Sequence, residues 1–240
     1  MSSFWRRALV VSGSLGWVAI LGLLALSAAC NGDDGGGPAI DIRDFDTARF
    51  TMTQTSTSGE ESIHLAGEGL IDNRKQALSV TYEGEPGGQI IAIGRTIYTL
   101  GEGESEWTSV EEPTDGQVGF GRPYWPKFWL DAVQVEELGG QSLQGGETTG
   151  YRLFFDLEKV GKRLQGREST EPLDVRQAEV EVWVENESRY AVQLTFRLEL
   201  AFGANSTKLE ITSDFSDFGT EVELEAPAEV ATPTPAQGGP

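Results

Sequence analysis

The sequence predicts a mainly β protein with some helix: a single curved antiparallel sheet forming a half-barrel wrapped around short helices. Three observations point there. Long stretches alternate apolar and polar residues with a period of two, as strands buried on one face do. Glycine is abundant at 30 residues while proline is modest at 10, which suits many tight turns. Only two segments shift to a helical period, and two short helices cannot tile the apolar face of about ten strands unless the sheet curves around them. An ordinary closed barrel or sandwich without a cavity is the alternative.

Taken in order, strands are expected near 48–57, 61–71, 76–82, 89–93, 95–100, 132–138 and 149–157. Gly67, Gly69 and Gly94 mark candidate bulges or bends in the early strands. The clearest alternation comes later. Ala178, Val180, Val182 and Val184 face one way, with Glu179, Glu181 and Glu185 facing the other. After the polar linker Asn186–Arg189, seven apolar residues fall on one face: Tyr190, Val192, Leu194, Phe196, Leu198, Leu200 and Phe202. Gln193, Thr195, Arg197 and Glu199 separate them, in a strand about 43 Å long. The pair reads as a hairpin with one polar and one apolar side, and Lys208–Thr212 extends the meander.

Two helices are expected. Trp125, Phe128, Trp129 and Ala132 follow the i, i+3, i+4, i+7 spacing behind Pro123 and Pro126, and proline is tolerated at a helix start. A second runs from Asp156 to Leu164 with Leu157, Val160 and Leu164 on one face and Gly166 as its stop. The rings of Tyr124, Trp125, Phe128 and Trp129 read either as core packing or as the lining of an apolar cavity.

Residues 1–29 read as an export leader, 30–44 as a tether, 45–227 as the folded domain and 228–240 as a disordered Pro-rich tail. Arg6 and Arg7 begin the leader and Ala8–Ala29 carry no charge. The arginine pair fits general or twin-arginine export. At 22 residues the apolar run spans about 33 Å as a helix, enough for a membrane anchor. The charges that follow are Asp33 and Asp34 rather than Lys or Arg, which favours cleavage over retention.

Losing the leader removes 2 of 18 basic residues and none of 38 acidic ones, leaving 16 against 38, a net charge of −22. Such a surface repels phosphate backbones and argues against nucleic acid as a partner. Cys30 is the only cysteine, so no intramolecular disulfide is available and the core alone must hold the exported fold.

No catalytic set emerges, no cofactor or metal is expected, and the protein is not read as an enzyme. His64 is the only histidine and sits between Ile63 and Leu65 in an expected strand. Gly140-Gln141-Ser142-Leu143-Gln144 fails the nucleophile-elbow pattern at its last position. The Gly84–Gly88 stretch lacks the Lys-Ser/Thr of a phosphate loop. What the alternation offers is an apolar concavity. The residues expected to line it are Trp125, Phe128, Trp129, Phe155, Val182, Leu194, Phe196 and Leu198.

Leu26-Ser27-Ala28-Ala29-Cys30, followed by a Gly/Asp-rich stretch, resembles a bacterial lipobox. That resemblance implies a diacylated Cys30 as the first residue of the mature chain. Ile93-Gly94-Arg95-Thr96-Ile97-Tyr98 with Glu106-Trp107, then Val180–Val184 and Thr212–Gly219, resemble stretches of the mycobacterial LppX/LprG-type lipoproteins. The resemblance implies a half-barrel of antiparallel strands over helices, as in the LolA/LolB carriers. It also implies lipid binding in the cavity by a lipid-anchored, extracytoplasmic carrier or chaperone of the bacterial envelope, here expected to be a monomer. The alternative is a structural or interaction lipoprotein whose concave face is filled by its own chain and whose outer face meets an envelope partner.

Overall fold

The computed structural model describes residues 40–83, 87–111, 132–165, 174–202 and 205–230. Among these, eleven strands form one antiparallel sheet. They are β1 (Thr47–Ser58), β2 (Glu61–Asp72), β3 (Ala77–Glu83), β4 (Gly88–Ile93), β5 (Thr96–Gly101), β6 (Thr108–Glu111), β7 (Gln134–Leu143), β8 (Gly146–Phe154), β9 (Asp174–Glu185), β10 (Ala191–Phe202) and β11 (Asn205–Ser216). The order across the sheet is β6-β5-β4-β3-β2-β1-β11-β10-β9-β8-β7. Two meanders, β1 to β6 and β7 to β11, therefore join through the β1–β11 pair. The sheet is an open, curved half-barrel whose edges are β6 and β7. One helix, α1 (Leu157–Gln165), interrupts the second meander and packs against β9.

Local chemistry sets the corners. Gly59, with φ +62°, and Gly94, with φ +56°, begin two-residue hairpin turns between β1 and β2 and between β4 and β5. Asp72 ends β2, and its Oδ1 accepts hydrogen bonds from the backbone N–H of Arg74 and of Lys75, an Asx turn into β3. Asp156 caps α1, its Oδ1 accepting from the N–H of Glu158 and of Lys159 at 3.0 and 3.1 Å.

Several expected elements shift. The strand expected at 132–138 runs from Gln134 to Leu143, and that at 149–157 runs from Gly146 to Phe154. β9 starts at Asp174, and β11 extends well beyond Lys208–Thr212 at both ends. Val175 and Phe215 in these extensions are buried, and the hydrogen-bonding ladder of the neighbouring strands holds the polar remainder, as where Thr57 and Ser58 meet Lys208 and Thr207. β6 was not expected at all. Its one apolar residue, Val110, is 57% exposed, so pairing with β5 and not burial defines it. Helix α1 matches the expected span with Val160 against the core, but Leu157 at its start is exposed. The first expected helix lies outside the described residues.

The seven-residue apolar face of the long strand is also corrected. A register shift between Ala191 and Gln193 breaks its alternation, whereas the shift between Glu199 and Leu200 adds Arg176 to β9 and leaves Leu200 in phase, packed against the core. Ala191 opposite Val184 takes the core position, Val192 falls in the bulge, and Tyr190 lies just before the strand. The Phe202 side chain is outside the description. Of the glycines flagged as bends, Gly94 turns the chain, whereas Gly67 and Gly69 sit in regular register within β2.

Candidate ligand-binding face

One face of the sheet collects the apolar phase of every central strand. Reading straight across, Val135, Leu153, Val180, Phe196, Ile211, Gln54 and Leu65 are successive partners from β7 to β2. The next row holds Tyr151, Val182, Leu194, Ser213, Met52, Gly67 and Tyr82. On the other side run Ala178, Leu198, Leu209, Ser56 and Ile63. Leu153, Val180, Val182 and Ile211 have no exposed surface. This is the concave face of the half-barrel.

Four residues expected from the sequence meet here. Leu194 pairs directly with Val182, and Phe196 and Leu198 follow on the same face of β10, all buried. Phe155, just past β8, is partly buried against the same cluster. Trp125, Phe128 and Trp129, with Tyr124, lie outside the described residues, as does Cys30.

Residues outside the expected lining set complete the face. An aromatic group closes one end. Phe45 meets Phe218 at 5.3 Å, Phe215 at 6.3 Å and Tyr190 at 6.4 Å between ring centroids, and Tyr190 stacks on Phe218 at 4.5 Å. The Arg43 guanidinium lies 5.3 Å from the Tyr190 ring centre. Gly67 and Gly69 let the side chains and backbone of neighbouring strands close over β2. A Cβ on Gly69 would sit 2.5 Å from Phe50 Cζ and closer still to the Ser79 carbonyl oxygen. Tyr82 is buried on this face, and that burial pushes its phenol far above the ordinary range.

Gln54 is the exception in an apolar row. It is 2% exposed, and neither its Nε2 nor its Oε1 has a hydrogen-bond partner. Ser56 and Ser213, in the rows on either side, are buried hydroxyls. The usable signal was phase: in Ala48, Phe50, Met52, Gln54, Ser56, the glutamine occupies an apolar beat of β1. Towards the β6 edge the face becomes wetter, with Thr99 and Thr108 hydroxyls 2.7 Å apart and exposed.

The convex face carries the charge. Arg197 Nε donates to Glu210 at 2.7 Å, and its Nη1 reaches Glu179 at 3.5 Å and Glu181 at 3.4 Å. Glu181 also accepts from Arg152 at 3.4 Å and from the Trp183 indole at 3.1 Å. Burial alone would raise the Glu181 carboxyl, but Trp183, Arg152 and Arg197 together hold it below its ordinary value. Over the same convex side of β2–β4, the segment after β11 buries Val222 and Leu224 and leaves a cleft of ≈ 270 Å³ between Glu223–Glu225 and the strands. It ends with a parallel bridge from Val230 to Trp107.

His64 is exposed on β2, its Nδ1 3.0 Å from the Thr55 hydroxyl and its Nε2 3.3 Å from that of Ser62. No group of three or more His, Cys, Asp or Glu side chains suited to a metal ion occurs among the described residues.

Neither a family model nor a curated protein matches the chain. Among solved structures it is similar to lipoprotein LppX of Mycobacterium tuberculosis, at 14% identity and a TM-score of 0.43, covering 87% of this chain and 99% of that one. It is also similar to LprF of Mycobacterium bovis, at 10% identity and a TM-score of 0.41, covering 87% and 95%. These are proteins of the kind its sequence motifs resemble.

Proposed function

We propose that the domain binds a lipid or similarly apolar molecule against the concave face of its sheet, as a carrier or chaperone and not as an enzyme. One observation carries the reading: from β8 to β2 the three central rows of the concave face are apolar apart from Gln54 and two serines, with Glu137 at the exposed β7 edge, and Gln54 has no partner within the fold. Burying an amide without a hydrogen bond costs on the order of 1–3 kcal/mol, so folds seldom keep one in the middle of an apolar row for stability alone. A ligand held there supplies the missing partner. The lining side chains are buried within the chain itself, so loading displaces whatever covers them. Each Å² of ligand hydrocarbon removed from water returns about 25 cal/mol, which makes that exchange feasible for a long acyl chain.

The same burial favours a second reading, a filled core in an interaction lipoprotein. Organic extraction of the protein purified from its native host, with mass spectrometry of the extract, separates the two. Co-purified lipid and uptake of fluorescent lipids support the carrier. A protein that emerges empty and takes up none leaves the filled core.

We further propose that Cys30 is diacylated and begins the mature chain, with the residues before Ile40, which the core buries, as a tether to the extracytoplasmic side of a bacterial membrane. Two acyl chains anchor firmly where one holds marginally, at about 0.8 kcal/mol per buried methylene. Wild type is expected to partition into detergent and Cys30→Ser into water. An aqueous wild type with an unmodified thiol overturns the anchor.

A further inference from the structure

We infer that Gln54 is the specificity-determining residue of the concave face and selects ligands carrying an uncharged hydrogen-bonding group within their apolar length. The inference rests on the carrier reading above and names the chemistry that face accepts.

Three observations converge. First, among the described residues with orphaned buried polar atoms, Gln54 alone lies on the concave face, and both its donor and its acceptor are free. The others, Asp72, Asn73, Arg152 and Arg189, lie at turns or on the convex side. Second, its place is central. Ile211 on β11 and Leu65 on β2 flank it directly, with Phe196 and Val180 beyond Ile211, so any ligand chain laid across this face meets it far from the sheet edges. Third, among the described residues none that is charged lies at that depth. Arg49, Arg152, Arg197 and Lys208 alternate outward on their strands, and Arg176 is exposed at the β9 irregularity.

A carboxylate or phosphate carried to the level of Gln54 would lose its hydration and meet no cation among the described residues. A bare hydrocarbon would leave the amide orphaned. A hydroxyl or amide can pair with both the Nε2 donor and the Oε1 acceptor of the glutamine, and an ester carbonyl accepts from the Nε2 donor. Discrimination of this kind is asymmetric: a site built to hydrogen-bond rejects the analogue that lacks the group far more strongly than an apolar pocket rejects an extra methylene.

The test uses the mature full-length protein and three probes of equal chain length: pyrene-tagged hexadecane, pyrene-tagged methyl palmitate and, near neutral pH, pyrene-tagged palmitate. Wild type is expected to bind the ester at least about tenfold tighter than the alkane, equivalent to about 1.4 kcal/mol, and tighter than the carboxylate. Gln54→Leu, which keeps the volume and removes the amide, is expected to bind ester and alkane alike while melting no lower than wild type. Gln54→Asn tests whether a shorter amide keeps part of the preference. If wild type binds ester and alkane equally, or Gln54→Leu keeps the preference, this inference is wrong while the carrier reading stands. If a folded wild type binds none of the three, the carrier reading fails and this inference with it.

Discussion

The two faces of β9, β10, β11 and β1 handle polarity in opposite ways. On the convex side Glu179, Glu181, Arg197 and Glu210 are partly exposed, and each has an oppositely charged partner within 3.5 Å. Gln193 and Asp214, then Thr195 and Thr212, pair across the next rungs. One residue away along each strand, the concave side is apolar and leaves its most buried amide, Gln54, with nothing to bond. The same backbone supports both, so the contrast comes from side-chain choice. On the convex side the orphaned atoms belong to groups that make other bonds, such as Arg152 with Glu181, whereas both polar atoms of Gln54 are open.

The largest effect is expected where the concave row is densest. Phe196→Ala empties a ring-sized space between Val180 and Ile211 and is expected to cost about 3–5 kcal/mol, read by urea unfolding. A loss under about 1 kcal/mol would mean that this row is loosely packed, and would sharpen the case for an open groove. Next is Gly69→Ala. Its Cβ would collide with the Phe50 ring and the β3 backbone, and a loss of about 1–3 kcal/mol is expected. Phe50→Leu should recover part of that loss in the double variant, because one of the two collisions is with a movable ring. No recovery would place the strain in the backbone instead.

A smaller effect is expected on the convex side. Glu181→Gln removes one charge from a partly exposed network and should cost about 0.5–1 kcal/mol near neutral pH. The sign with pH follows from its lowered carboxyl. Its contribution is present above the unfolded value near 4.5 and is lost as pH falls through the lower folded value. Wild type and variant should therefore converge in acid, and a gap that widens there would contradict the network. Uptake of lipid should be unchanged in this variant. The smallest effect belongs to His64→Ala. The ring is exposed and bonds only hydroxyls, so stability should move by less than about 0.5 kcal/mol and lipid uptake not at all.

The comparison of faces also marks what was legible in advance. Period-two alternation identified Val182, Leu194, Phe196 and Leu198 as one face, and the structure brings them together, because strand geometry makes that phase local. Val192 escaped, since a bulge depends on what the neighbouring strand does and leaves no mark in its own strand's alternation. β6 escaped because its pairing partner, not its own four residues, makes it a strand. Gln54 sat in plain view on an apolar beat, yet a glutamine in a strand is usually solvated, and no local pattern says that its amide is buried.

The sequence by itself determined the sheet, the polar and apolar sides of its long strands, the capped start of α1 and the glycine turns. Each of these depends on residues within a few positions of one another. Only the tertiary structure decided that the two meanders join at β1 and β11, which sets Phe50 beside Phe215 and Gln54 beside Ile211, more than 150 residues apart in sequence. Pairings at that range are chosen by the burial of whole faces at once, a collective term that no short window contains.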